Sequence, residues 1–378
     1  MNKLKGLLCA GVVGLGLPAG ASAEMYRASS WLPDNESTVI VMRWFNDQIT
    51  EATDGDISFE VFSSGALMPP KSHLSGIGDG VVQLGFHTSG YTPSEVPIAN
   101  ALAGFGFIEP DPVTIGAAWT DFVMHDAAQN EEFLEHGVVP VGGFSTPTYP
   151  IICNTNEPIT ELEQMKGLKV RSLGLIGKLV QDLGGVAVNI PAPEIYQALQ
   201  TGQIDCAGIF PSYLTVDNSL AEVSKHSTLM EWTGSYNSPL FLFNQDFWES
   251  ATPEQRRQMF EFSARAQARL QNTYEDQQQA SMDEAVAEHG HTLVQPGESI
   301  QAAVAEWVEN GVGDMAGVAR DTYGIEDPEA LFSRFEPYVT KWQELIGGME
   351  DKFDEDALTE LLIANIYDSL DPESYGVD

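Results

Sequence analysis

Arg171 closes a short strand-like run, residues 168–171, within KGLKVRSLGLIGKLVQDLGGVAVNIPAPEIYQALQTGQIDCAGIFP, the segment spanning 166–211. A guanidinium stays protonated at any working pH, so it is a poor base and a poor nucleophile. Its planar fork of N–H groups matches the two oxygens of a carboxylate. The carboxyl end of a strand is where open α/β sheets bind ligands. An arginine fixed there is suited to hold an acid rather than to transform one.

The surrounding elements must place that side chain. The segment reads strand, helix, strand, helix, strand. Ile195, Ala198 and Leu199 have the spacing of a core-facing helix. Gly202 falls just past that helix, where a left-handed backbone is wanted, and residues 204–207 re-enter the sheet. Glu194 suits the positive end of the helix dipole. Glu194 and Tyr196 therefore read as structural, and Asp205, at a strand end, as a backbone anchor. The competing reading of Arg171 is a salt bridge inside its own lobe.

GLKVR at 167–171 followed by EIYQALQTGQID at 194–205 resembles the extracytoplasmic solute receptors of TRAP transporters, dicarboxylate-receptor type. The usual glycine after the aspartate is Cys206 here. The resemblance extends over about residues 26–252. It implies an α/β fold of the two-lobed periplasmic binding protein kind, with interleaved lobes and a long helix spanning both. It also implies capture of a small organic acid by lobe closure and delivery to TRAP permease membrane subunits, with no cofactor and no metal. Arg171 is then the carboxylate clamp.

By the same resemblance, three loops converge on the cleft: residues 30–32, 87–91 and 144–149. Trp31 and Thr88 match family positions that contact ligand, and His87 and Ser89 flank Thr88. Tyr149 falls about where some members carry a second arginine. Phe210, within residues 209–211, falls where many carry Glu-Asn or Glu-Trp. Residues 232–237, with Trp232, Tyr236 and Asn237, line the cleft where the chain returns to the first lobe. Aromatic residues thus replace the second arginine. Aromatic walls suit an apolar or cationic body. The departure favours a monocarboxylate over a sugar acid or dicarboxylate: a keto acid, a small hydrophobic or aromatic acid, or a zwitterion such as a cyclic or quaternary-amine osmolyte. The bland reading of each aromatic is core packing.

Residues 1–23 combine Lys3 and Lys5, a short apolar run at 7–18 and Ala21-Ser22-Ala23, the pattern of a secretory leader cut before Glu24. The run is too short and too glycine-rich to span a bilayer. The expected location is the periplasm, without membrane insertion. Losing Lys3 and Lys5 takes the formal charge from −37 to −39, which excludes nucleic acid as a partner and reads as a solvated acidic surface. Two cysteines remain, Cys153 and Cys206. Export permits a disulfide, but two cysteines make no framework, and the apolar contexts favour buried free thiols.

The mature length of about 355 residues is enough for two lobes. The first is expected over 24–146 plus about 238–270, and the second over 147–237 plus about 271–325. Helices at about 326–378 pack on them. Residues 93–112 read as a loop, 115–136 as a helix and 213–223 as another. The helix that follows a loop at 32–36 turns Ile40, Trp44 and Ile49 to one face. Thr252-Pro253-Glu254-Gln255 is a capped helix start, and the helix it opens has no breaker before Gly290. Further helical patterns run at about 299–318, 328–346 and 355–369.

Catalytic patterns are not found. GLIGKL at 174–179 lacks the phosphate-loop spacing, and GFGF at 104–107 lacks a third glycine. His289-Gly290-His291 reads as a solvated turn. Two rival functions remain: an exported enzyme on the same fold, and a sensor subunit that presents its ligand to a signalling partner.

Overall fold

A computed structural model describes residues 25–230 and 236–377. Its strands are β1 (Met25–Ser29), β2 (Ser58–Phe62), β3 (Leu84–Gly85), β4 (Val138–Ser145), β5 (Ile151–Cys153), β6 (Lys169–Arg171), β7 (Val186–Val188), β8 (Cys206–Gly208), β9 (His226–Thr228), β10 (Asn237–Asn244) and β11 (Thr292–Val294). They form two sheets, ordered β2-β1-β3-β10-β4 and β11-β9-β5-β8-β6-β7. Each sheet, covered by helices, is the centre of one lobe. The leader segment lies outside the described residues.

The chain passes between the sheets three times: from β4 to β5, from β9 to β10, and from β10 to β11. The first two passages touch. Thr146 N–H donates to the Tyr236 carbonyl at 3.0 Å, and Tyr236 N–H donates to the Thr146 hydroxyl at 2.9 Å. The third passage is the helix Pro253–His289, 37 residues and about 55 Å long. Thr252 and Gln255 cap it reciprocally, and Gly290 ends it at φ 64°. Gln271 on this helix donates to the Ser145 carbonyl of the first lobe. Further along, Ser281 donates to the Ser212 carbonyl of the second. One rigid element thus ties both lobes.

Local signals explain the strand that carries Arg171. Gly202 takes φ 72° after the helix Ile195–Thr201, as the sequence requires. Asp205 accepts the Lys169 N–H at 2.9 Å, so it anchors the backbone at the start of β6. β6 pairs in parallel with β7 and β8, and Arg171 stands at its carboxyl end.

Several expectations need correction. Cys153 and Cys206 form a disulfide instead of staying free. They are directly opposite across antiparallel β5 and β8, with Cα atoms 4.0 Å apart, within bonding reach. Residues 93–112 are not a plain loop, because Pro97 opens the helix Pro97–Leu102 and a 3-10 turn follows. The helix expected at 115–136 is two helices, Pro112–His125 and Ala127–Leu134. Asp126 is extended between them and accepts the Gln129 N–H, which restarts the helix. Residues 213–223 hold only 3-10 turns. The pattern at 299–318 breaks at Gly311, whose φ is 86°. In the helix Ser37–Ala52 the buried face is Val41, Met42, Phe45 and Ile49. Ile40 is exposed, and Trp44 lies beneath the Arg269 guanidinium of the long helix. His291 is buried and bonds Ser227, and His289 is the exposed last residue of the long helix, so the pair is not a solvated turn.

Candidate functional site

Arg171 is buried, with 1% of its surface exposed. Its Nε donates to the Ile190 carbonyl and one terminal nitrogen to the Gly208 carbonyl, each at 3.1 Å. These two bonds fix the plane of the guanidinium and leave further N–H donors for another group. Among the described residues, no carboxylate ion-pairs with it. The salt-bridge reading within the second lobe thus finds no partner there. A buried unpaired charge costs several kcal/mol, which an anion delivered to this point would offset.

Arg171 faces a cavity of about 40 Å³, counting the space open to the centre of a water molecule. Both lobes wall it. The first contributes Trp31, Leu32, Glu36, Phe86, Thr88, Tyr91, Phe144, Thr146 and Ser238, and the passage back to it contributes Tyr236. The second contributes Tyr149, Arg171, Leu173, Ala192, Ile209, Phe210 and Tyr213, and the long helix supplies Tyr274. The rings form a continuous arc. Trp31 meets Tyr91 at 5.5 Å and Phe86 at 6.1 Å. Phe86 meets Phe144 at 5.7 Å, and Phe144 meets Tyr274 at 6.2 Å. Tyr274 meets Phe210 at 5.3 Å, and Phe210 meets Tyr213 at 5.0 Å and Tyr149 at 5.8 Å. The long helix therefore carries the ring that joins the two walls.

The lobes are latched beside the cavity. Tyr91 of the first lobe accepts the Ala192 N–H of the second at 3.0 Å. Burial raises the Tyr91 phenol above its ordinary value, while Arg171 beside it pulls the other way. Burial likewise pushes Tyr149 up to about 12, again against the pull of Arg171.

A second charged group lines the same space. Glu36, 1% exposed, caps the helix Ser37–Ala52. It accepts the Thr38 N–H at 2.7 Å, the Thr38 hydroxyl at 3.2 Å and the Tyr274 hydroxyl at 3.3 Å. Burial first, and the nearby Asp217 second, raise its carboxyl well above the usual range. Burial raises Asp217 too, against a hydrogen bond from Ser212.

Six expected residues line the cavity: Arg171, Trp31, Thr88, Tyr149, Phe210 and Tyr236. His87, Ser89 and Asn237 are fully buried but are not among its walls. His87 bonds Thr92 at 2.8 Å, and burial lowers its ring to about 3. Asn237 begins β10 with neither side-chain atom hydrogen-bonded. Trp232 lies outside the described residues. The sequence reading missed Glu36, Tyr213 and Tyr274. The signal at Glu36 was an acid directly before a helix start; Tyr274 had none, since its place depends on the long helix crossing the cleft.

Comparison with known proteins matches residues 28–316 to bacterial extracellular solute-binding protein, family 7. The chain belongs to this family. The outer membrane transporter protein TsaT of Comamonas testosteroni is 23% identical over 288 residues, 74% of this chain and 82% of its own length. A TRAP solute binding protein from Rhodoferax ferrireducens T118, solved with copurified benzoate, superimposes with a TM-score of 0.73 at 18% identity, covering 85% of this chain and 99% of that one. A marine metagenome TRAP solute binding protein specific for aromatic acid ligands, solved with 3-hydroxybenzoate, gives 0.73 at 20% identity over 84% and 98%. The fold is that of the two-lobed TRAP receptors, and the relatives are solute-binding proteins rather than enzymes. No helix among the described residues is long and apolar enough to cross a membrane.

Proposed function

We propose that this receptor captures a small monocarboxylate whose acid group is clamped by Arg171, closes its lobes over it, and presents it to the membrane subunits of a TRAP permease. The observation that carries this is the burial of Arg171 with no anionic partner among the described residues, on a cavity walled by both lobes. Trp31 supports the reading, since its indole N–H is buried without a partner on the same cavity and can donate to the ligand. The dividing lines drawn from the sequence, 24–146 with about 238–270 and 147–237 with about 271–325, are taken as the bodies that close. The leader at 1–23 directs the chain to the periplasm, where N-terminal sequencing of the exported protein should begin at Glu24.

The aromatic arc selects against a second carboxylate. Apart from Arg171, no Lys, Arg or His among the described residues lines the cavity, and a second buried anion would cost several kcal/mol. The aromatic acids carried by the two solved receptors belong to the same monocarboxylate class. The test is a thermal-shift screen of keto acids, aromatic acids, zwitterions and dicarboxylates. A ligand at a hundred times its dissociation constant should add about 2.7 kcal/mol of stability. Succinate should stabilise less than a monocarboxylate of similar size; a larger shift with succinate would refute the ligand class.

A further inference from the structure

Among the described residues, Glu36 is the only acidic one lining the cavity, just as Arg171 is the only basic one. Its hydrogen-bond donors are all neutral: a backbone N–H, a threonine hydroxyl and a tyrosine hydroxyl. No Lys, Arg or His among the described residues forms an ion pair with it. The buried Asp121 of the same protein is treated differently, since Lys341 reaches it at 2.6 Å and His125 at 3.0 Å. A helix cap alone does not call for glutamate, because serine, threonine, asparagine and aspartate serve that position better. The longer side chain brings a carboxyl to the cavity wall.

The neighbours of Glu36 are aromatic. Tyr274 bonds it. Phe210 stands nearly perpendicular to both Tyr274 and Tyr213, at 72° and 89°. Rings set at such angles form the corner of a box whose faces carry negative charge density. Asp217, itself buried, has one carboxyl oxygen without a hydrogen-bond partner. It lines an adjoining cavity that shares Trp31 and Tyr213 as walls. The cavity thus offers a cation at one place, and a carboxyl with aromatic faces at another.

We propose that the ligand is a small zwitterion, with its carboxylate on Arg171 and a quaternary or delocalised cation held by Glu36 and the faces of Trp31, Tyr213 and Tyr274. This rests on the receptor reading above and narrows it. A purely apolar acid would leave the Glu36 carboxyl buried among neutral donors. A cation gives it a counter-charge, and a desolvated cation–π contact adds to the attraction.

Glycine betaine and 3,3-dimethylbutyrate have the same shape and differ by one positive charge. Calorimetric titration of the exported protein with each separates charge from fit. Betaine should bind about tenfold tighter or more. Glu36→Gln, which keeps an acceptor at the helix cap, should remove most of that difference. Equal or tighter binding of 3,3-dimethylbutyrate by the wild-type protein overturns the cation half of the site and leaves the carboxylate receptor standing. An unchanged ratio in folded Glu36→Gln overturns the role of Glu36. Binding of neither compound overturns the inference. If no other monocarboxylate raises the melting temperature either, the receptor reading falls with it.

Discussion

At the scale of single residues, the site rests on side chains whose chemistry is common but whose surroundings are not. Arg171 was legible because its motif fixes both its type and its place at a strand end. Glu36 and Tyr274 were not, because their role comes from tertiary contact: Glu36 reads locally as a polar residue before a helix, and Tyr274 as one aromatic on a long polar helix. Tyr91 makes a contact that exists only when the lobes meet. Tyr91→Phe deletes the acceptor of the Ala192 N–H and leaves that buried donor unmatched in the closed form. Losing one partner of a buried hydrogen bond costs about 1–3 kcal/mol. Calorimetry should therefore show ligand affinity reduced by about tenfold or more, while the melting temperature of the ligand-free protein changes little. Unchanged affinity would mean that the bond does not contribute to closure.

Among elements, local signals predicted ends and caps better than connections. The capping box at Thr252 and the left-handed glycines at 202 and 290 were readable because each is settled within one turn of chain. The disulfide was not, because strand register across β5 and β8 is a long-range outcome. Closing a loop of separation 53 restricts the unfolded chain by about 4 kcal/mol on the chain-entropy account. Exported protein denatured without reductant should show no titratable thiol, and Cys153→Ser with Cys206→Ser should unfold at markedly lower urea. Two reactive thiols in the oxidised protein would contradict the bond. The seam between the lobes also carries Glu36 at a helix start and Asp217 in the opposite lobe, faced by Tyr213 and Tyr274, whose phenols burial keeps protonated. Each carboxyl holds its proton more tightly when closure buries it than when water reaches it. Closure therefore takes up protons. Its contribution is full below the ordinary carboxylate range near 4 and is lost as pH rises to about 8. Affinity for a ligand without a cation, such as 3,3-dimethylbutyrate, should fall several-fold between about pH 6 and about pH 8.5. An affinity independent of pH over that interval would show that the pair does not change protonation on closure.

For the whole molecule, two sheets joined by three passages make a hinge rather than two independent domains. The long helix binds both lobes and places Tyr274 between Phe144 and Phe210. Closure is favoured only by contacts absent from the open form, and the strongest available is a carboxylate on Arg171. The most direct test is calorimetric titration of wild-type, Arg171→Ala and Arg171→Lys proteins with the acid that stabilises the wild type most. Arg171→Ala should lose about 2–5 kcal/mol of binding while its ligand-free melting temperature holds or rises, since an unpaired buried charge is removed. Arg171→Lys should recover only part, because an ammonium cannot form the planar fork. Near-native affinity in a folded Arg171→Ala protein would contradict the clamp, and with it the central claim.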